Sequence, residues 1–521
     1  MLTRRELLTA FLGAPLAAAA CARHRRPALP PGEIVGTSNV VGHRIRDGWR
    51  PHPSPGAPQP VRVVIVGAGI AGLAAAWWLR RAGVDDFVIL ELEAKAGGTA
   101  QSGESLISRF PWGAHYVPAP LPENRTFVTL LEEMRLIASG TSEVDDGVLV
   151  RDPQERLFYR GTWYEGLYLH AGASGDDLRQ LDRFRAIVDG WVAWRDRRGR
   201  RAFAIPVALS SDDPEPMALD RLSMAAFLDH HALTSPRLRW MIDYACRDDY
   251  GCHLSDASAW AGLFYFASRV ASPKAESQPL MTWPEGNGHF VDHFLDRIGD
   301  RVRTSTAVTE IVPTAVGLEV IAVQGHHVGS YLAQHVILAV PQFIASRLIG
   351  VPERSRAFTY GAWMVANIAL RDRPSERTFP LAWDNVLYDS PSLGYVVSTH
   401  QLDRDRGPTV FTYYYAMADS DPSHARRRLL AAGRDDWAEI ALADLSIPHP
   451  EIRELATRVD IMRWGHAMIR PYPGFLSSPA RLEAAKPVDR IHFANTDLSG
   501  VALFEEALFH GVRAAEEVMI T

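Results

Sequence analysis

The stretch VRVVIVGAGIAGLAAAWWLRRAG, residues Val61–Gly83, constrains the fold more than any other part of the chain. Val61 to Val66 is a β-branched run with little alternation, as expected of a strand buried on both faces of a parallel sheet. Glycines follow at once, as Gly67-Ala68-Gly69-Ile70-Ala71-Gly72. Gly67 permits a tight turn, Gly69 lets backbone approach a pyrophosphate, and Gly72 lets the following helix pack against the strand. That helix ends at Gly83, a residue suited to the position after a helix end. Its free N–H groups, around Ile70 and Ala71, and the positive end of its dipole meet phosphate charge. A second strand, FVILE, then delivers Glu91 about 20 residues on, the spacing at which an acid grips a ribose hydroxyl. Together these parts predict a dinucleotide site, without separating NAD from FAD.

The continuation ELEAKAGGTAQSG separates them. It resembles the E-A-x-x-x-x-G-G-R extension of the flavin-containing amine oxidase superfamily, which includes monoamine and polyamine oxidases, protoporphyrinogen oxidase and phytoene desaturase relatives. The resemblance implies FAD as cofactor, with Gly97 and Gly98 letting backbone approach it; Thr99 stands where the family has a flavin-binding Arg. FPWGAHYVPAP resembles the segment beside the flavin ring, which implies Trp112, Gly113, Ala114, His115 and Tyr116 near the isoalloxazine. TWPEGNGHFVDHFLDRIGDRVRTSTAVTEI resembles the segment that ends in a backbone clamp on the adenine, here Val308, and HVILAVP the strand and proline that return to the cofactor domain. HFANTDLSGVALFEEALFHGVRAAEEV resembles the last cofactor element. Asp497 stands there as the acid for the ribityl chain, and Ala507, Gly511 and Ala514 share one helix face. The start of that helix, Leu503 to Glu506, is expected to face the flavin's N1 and C2 oxygen, where charge collects on reduction.

The expected fold is α/β: a Rossmann-like FAD-binding domain with a parallel sheet, interleaved with an α+β substrate domain. The cofactor domain takes residues 61–149, 280–350 and 487–521, and the substrate domain 150–279 and 351–486. With 521 residues, 47% of them hydrophobic, the chain can bury the cores of two intimate domains. A net charge of −6 points away from nucleic acid, and the basic run Arg195–Arg201 reads as a solvated loop. Residues 1–21 resemble a twin-arginine signal: Arg4-Arg5 precede an apolar segment too short to span a bilayer. This predicts export of the folded, cofactor-loaded protein to the periplasm or another extracytoplasmic compartment. Cys21 is a candidate lipid anchor, the one membrane link in the reading, with plain cleavage nearby as the alternative. Residues 22–60 are proline-rich and read as a linker or a strap over the surface. Cys246 and Cys252 are either a disulfide or two buried thiols, and the 19 histidines show no metal-ligand spacing.

RWGHAMIRPYPGF resembles the strand that faces the flavin, so Trp464, His466 and Tyr472 are candidates for a substrate cage. An amine gives hydride only as the free base, and an apolar, aromatic site disfavours the ammonium form. His115 and His466 are candidate proton acceptors. Asp243, Asp248, Asp249 and Asp256 either bind a second ammonium or serve as helix surface and caps. Many family members carry a Lys near flavin N5; the best-matching position here is Val365. The expected activity is FAD-dependent hydride transfer from the C–N bond of a small amine or polyamine, with O2 or another electron acceptor. The alternatives are C–C dehydrogenation of an apolar cyclic compound, favoured by Val365 and by W-x-x-A-x-x-x-P-Y at Trp464–Tyr472, and a catalytically silent flavoprotein.

Overall fold

The computed structural model describes residues 28–520 except 38, 55, 139, 141, 142, 377, 403 and 420; the twin-arginine segment and Cys21 lie outside the described residues. The chain opens with a short strand β1 (Ile34–Val35) and helix α1 (Asn39–Arg46), then enters β2 (Gln59–Val66), helix α2 (Ile70–Arg81) and β3 (Phe87–Leu90). A hairpin of β4 (Glu155–Tyr159) and β5 (Thr162–Glu165) precedes a helical block that includes α3 (Pro236–Tyr250). Next come β6 (Val302–Arg303) and a meander of β7 (Thr306–Thr314), β8 (Gly317–Gln324) and β9 (His327–Leu338), followed by α4 (Gln342–Leu348). The last third contains β10 (Tyr360–Leu370), β11 (Asp384–Leu387), β12 (Gly394–Val397), β13 (Thr409–Met417), α5 (Pro422–Ala431) and β14 (Ala456–Ile469). It ends in β15 (Ile491–Phe493) and α6 (Phe504–Ile520).

Two large sheets result. One runs β6-β3-β2-β9-β8-β7, with β15 also on β9. Its β6, β3, β2, β9 and β15 pair in parallel and the β7-β8-β9 meander is antiparallel, a Rossmann-like core with an antiparallel flank. The other, of eight strands, runs β1-β14-β10-β13-β12-β11-β4-β5. Strand β2 is longer than the β-branched run, starting at Gln59, and its last four residues are buried because neighbours cover both faces. Helix α2 follows directly and ends as its sequence implies, with Gly83 at φ +81 just beyond the last turn.

Close packing at two glycines joins the cofactor-side elements. A Cβ on Gly72 would lie 1.9 Å from the Gly67 carbonyl oxygen, so α2 can sit this near the turn only with glycine there. A Cβ on Gly511 would lie 2.3 Å from the Ala71 carbonyl oxygen, which is why the small face of α6 lies against α2. The two body cysteines are free and buried, which selects the reading of two thiols over a disulfide. The proline-rich segment is more than a linker, because β1 adds a strand to the eight-stranded sheet beside β14.

Candidate active site

A cavity of about 1120 Å³ lies between the two sheets, larger than a typical small-molecule pocket. Gly67, Gly69, Ile70 and Ala71 form one stretch of its wall, and Gly97, Gly98 and Thr99 the facing stretch. The two turns are joined by the Gly97 N–H, which donates to the Ala68 carbonyl at 2.8 Å. Helix α2 starts at Gly69 with no side chain capping its first N–H groups, leaving them for a ligand. A Cβ on Gly69 would meet nothing closer than the Gly98 Cα at 3.9 Å, so the space before it is open cavity. Glu91 is buried beside the turn: its Oε2 accepts from the Ala68 N–H at 2.6 Å and its Oε1 from the Glu93 N–H at 2.9 Å. Burial raises its pKa against those hydrogen bonds. Val308 lines the cavity from β7, an edge strand with one side free of ladder partners.

The other end of the cavity is aromatic. Tyr414 on β13 donates to the Gly113 carbonyl at 2.9 Å and stacks on His115 with ring centres 4.7 Å apart. Trp464 donates from Nε1 to the Trp112 carbonyl at 2.7 Å and lies opposite Trp363 across the β10–β14 ladder. Into this apolar wall the end of α3 brings two acids. Asp249 pairs with Arg269 at 2.9 Å, whereas the carboxylate of Asp248 has no hydrogen-bond or ion-pair partner among the described residues and lines the cavity. Burial, with the Asp249 charge behind it, raises Asp248 to about 7. Across the cavity the first turn of α6 contributes Leu503, Phe504 and Glu505, and burial lifts Glu505 to about 7. Glu506 points away, accepting from the Val207 N–H at 2.7 Å and from Ser499, and burial lifts it to about 8. Held toward the neutral acid, these two carboxyls oppose the positive end of α6 less than two ionised ones would.

Most residues singled out in the sequence meet at this cavity. Gly113, Ala114, His115, Tyr116, Trp464, His466, Asp497 and Ala507 all line it, as does Val365 at the centre of β10. Gly72 does not, for its role is helix packing. Two residues need correction. Trp112 is turned into the core, edge-on to Phe110, and reaches the site only through the carbonyl that holds Trp464. Tyr472 is outside the cavity, its hydroxyl donating to the Ala357 carbonyl at 2.9 Å while its ring packs near Phe475, so it is no part of a cage. The two candidate proton acceptors are also poor ones: burial lowers His115 to about 4 and His466, stacked on Phe343 at 4.1 Å, to about 3. Both imidazoles are neutral walls at physiological pH. Asp497 Oδ2 is already engaged by the Gln342 N–H at 2.7 Å and the Tyr360 hydroxyl at 2.6 Å, and burial raises it to about 6. Of the four acids read as ammonium ligands, Asp243 holds Arg247 and His253, and Asp256 pairs with Arg470. YGAWMVANIAL is rich enough in aromatics to wall a pocket, and Tyr360 and Trp363 from it do line the cavity; Tyr414 has no such signal, because a strand such as TVFTYYYAM does not show which face will meet a cavity.

The residues present suit FAD. Two glycine turns leave an open cradle for a diphosphate, Glu91 is placed at the end of β3, and the aromatic end offers a flat, mostly apolar seat. One buried acceptor also stands ready on the wall: Asn287 donates from Nδ2 to the Tyr116 carbonyl, while its Oδ1 has no partner among the described residues.

Comparison with known proteins agrees with this geometry. Residues 70–519 match the family described as flavin containing amine oxidoreductase. Tryptophan 2-monooxygenase of Pseudomonas savastanoi is 35% identical over 138 residues, 26% of this chain and 22% of that protein. A Mycobacterium tuberculosis protein assigned as a flavin-containing monoamine oxidase, AofH, is 26% identical over 289 residues, 54% of this chain and 58% of that one. The matches thus span between about a fifth and three fifths of these curated relatives. Wild-type putrescine oxidase bound to putrescine superposes with a TM-score of 0.65 over 89% of this chain and 99% of that one, at 19% identity, a likeness of fold. With the match covering most of its length and the same fold around the cavity, this chain belongs to the flavin-containing amine oxidoreductase family.

Proposed function

We propose that the enzyme oxidises the C–N bond of a small amine or polyamine, with O2 as the final electron acceptor. The observation that carries this reading is Asp248, a carboxylate with no hydrogen-bond or ion-pair partner among the described residues, on a wall that it shares with the Asp249–Arg269 pair and with Tyr116, Trp363, Tyr414 and Trp464. An amine arrives from water as the ammonium ion and must lose a proton before its α-carbon can release hydride. Asp248, held near 7 by burial, is matched to that transfer: its carboxylate takes the N–H proton, and the amine stays behind as the free base. The aromatic wall then keeps the neutral form favoured by excluding water. FAD, when bound, supplies the two-electron acceptor for the hydride. The N-terminal end of α6, at Leu503 to Glu505 on the cavity wall, would supply a positive dipole end to negative charge held there. Gly113 and Trp464, tied through Tyr414 and the Trp112 carbonyl, hold the flavin and substrate sides of the chamber in register.

A second reading rests on one feature. Val365 is an apolar residue on the cavity wall where many relatives have Lys, which suits C–C dehydrogenation of an apolar ring at least as well. Anaerobic titration of the flavin absorbance decides between them. Bleaching by mono- or polyamines, with peroxide formed on re-aeration, supports amine oxidation. Bleaching only by apolar cyclic donors would replace it with the second reading.

A further inference from the structure

Residues matched to the family begin at Ile70, yet the segment before them helps to wall the cofactor cavity. Val35, Thr37, Asn39, His43, Ile45 and Arg46 all line it. The segment is stitched down at both ends. Upstream, the Val459 N–H donates to the Pro31 carbonyl and the Ile461 N–H to the Glu33 carbonyl, each at 2.9 Å, while Arg434 holds the Pro30 carbonyl. Downstream, the Ser54 N–H donates to the Val328 carbonyl at 2.9 Å, and the chain then runs into β2. Between these ties lie the two paired residues of β1, Ile34 with Ile461 and Val35 with Met462, a hydrogen bond from the Thr37 hydroxyl to the Arg463 carbonyl at 3.3 Å, and a helix α1 that has no buried residue and touches the core through Ile45. Other walls include core strands and the buried helices α2 and α6. Local opening follows buried area, so this wall opens at lower cost than those.

Charge makes its closure depend on what lies beneath. The last turn of α1 carries His43, Arg44 and Arg46, and the adjoining walls carry Arg347, Arg426 and Arg463. A dianionic diphosphate inside the cavity attracts the arginines that line it, whereas in the empty cavity Arg347, Arg426 and Arg463 repel one another; Arg46 is also paired with Asp47 at 2.7 Å.

We propose that residues 30–37 and 39–54 belong to a strap that docks over FAD after it has entered, and that release of β1 from β14 limits the escape of the cofactor. This does not depend on which donor the enzyme oxidises. Gly36 is the weak point of the dock, for it sits at φ +99 with its would-be Cβ 1.9 Å from Met462 Sδ. Gly36→Val therefore lifts the strap. The opposite perturbation is a staple, Ile34→Cys with Ile461→Cys: parallel strand partners lie about 4.8 Å apart, inside the range a disulfide spans, and the thiols of Cys246 and Cys252 are buried.

The test follows the rise of flavin fluorescence after dilution of the FAD-loaded protein. The expected result is release about tenfold faster or more in Gly36→Val, with unchanged circular dichroism. In the stapled protein, release and uptake of FAD should both be about tenfold slower when oxidised than when reduced. Equal rates for the oxidised and reduced staple overturn the proposal, and so does wild-type release from a folded Gly36→Val protein. If Gly36→Val does not fold, the staple decides alone, because its two redox forms share one sequence.

Discussion

Gly69→Ala separates holding the cofactor from holding the fold. Gly69 has φ −74 and ψ 179, a conformation open to any residue, and its new methyl would meet no protein atom nearer than 3.9 Å. The apoprotein should therefore change in stability by no more than about 1 kcal/mol. The methyl instead enters the space before the uncapped end of α2, where the diphosphate takes hydrogen bonds from backbone N–H groups. A hydrogen bond to a charged group contributes about 1.5–3 kcal/mol, so losing two costs about 3 kcal/mol or more and weakens FAD binding by about 100-fold or more. Quenching of flavin fluorescence on titrating apoprotein measures this directly. Thermal melts check it independently, since a 100-fold loss of affinity removes about 2.7 kcal/mol of cofactor-linked stabilisation and brings the melt with FAD down toward the apoprotein's. Gly72→Ala is the contrast: its methyl would lie 1.9 Å from the Gly67 carbonyl, so the apoprotein itself loses about 1–3 kcal/mol. Wild-type FAD affinity in a folded Gly69→Ala protein would falsify the placement of the diphosphate on this turn.

Three other expectations concern acids and an arginine. Asp248→Asn should remove the fall of kcat/KM for amines below about pH 7 and slow flavin reduction by about 100-fold or more; an unchanged pH profile in an active variant excludes Asp248 as the proton acceptor. Glu506, raised from 4.5 to about 8 by burial, keeps its proton in the folded protein at pH values where the unfolded chain has released it. Its contribution is therefore present below about 4.5 and lost as pH rises to about 8, so the apoprotein's Tm should fall across that window and Glu506→Gln should flatten the slope; parallel slopes in both proteins would contradict this. Arg156 is fully buried on β4, bound to Asn385, Glu376, the Phe379 carbonyl and Tyr395 and stacked 3.8 Å from the Trp163 ring. Arg156→Ala should cost about 3–5 kcal/mol in denaturant unfolding while FAD affinity is unchanged, because the residue does not touch the cavity. A loss near zero would mean that this network is not holding the far end of the sheet.

Much of the cofactor half was legible from the amino acids alone, because its signals are local. A β-branched run, a glycine turn and an acid at a set distance each impose their conformation within a few residues, so Gly67, Gly69 and Glu91 could be placed before any contact was known, while Gly97 and Ala507 were placed by the family resemblance. The chamber could not be read in this way. Tyr414, Trp363 and Asp248 come from two strands and a helix far apart in sequence, and an alternating or amphipathic pattern says which face is buried without saying whether it meets core or cavity, so Asp248 stood as one of four equivalent acids until packing set it on the wall. Tyr472 and Trp112 show the same limit from the other side, since a motif fixed their neighbours while long-range packing turned their rings away from the site. Protonation was decided by tertiary structure too: His115 and Asp248 would both titrate normally in the unfolded chain, and the water excluded around them, with the Asp249 charge beside the acid, makes one a neutral wall and the other a carboxyl poised near 7.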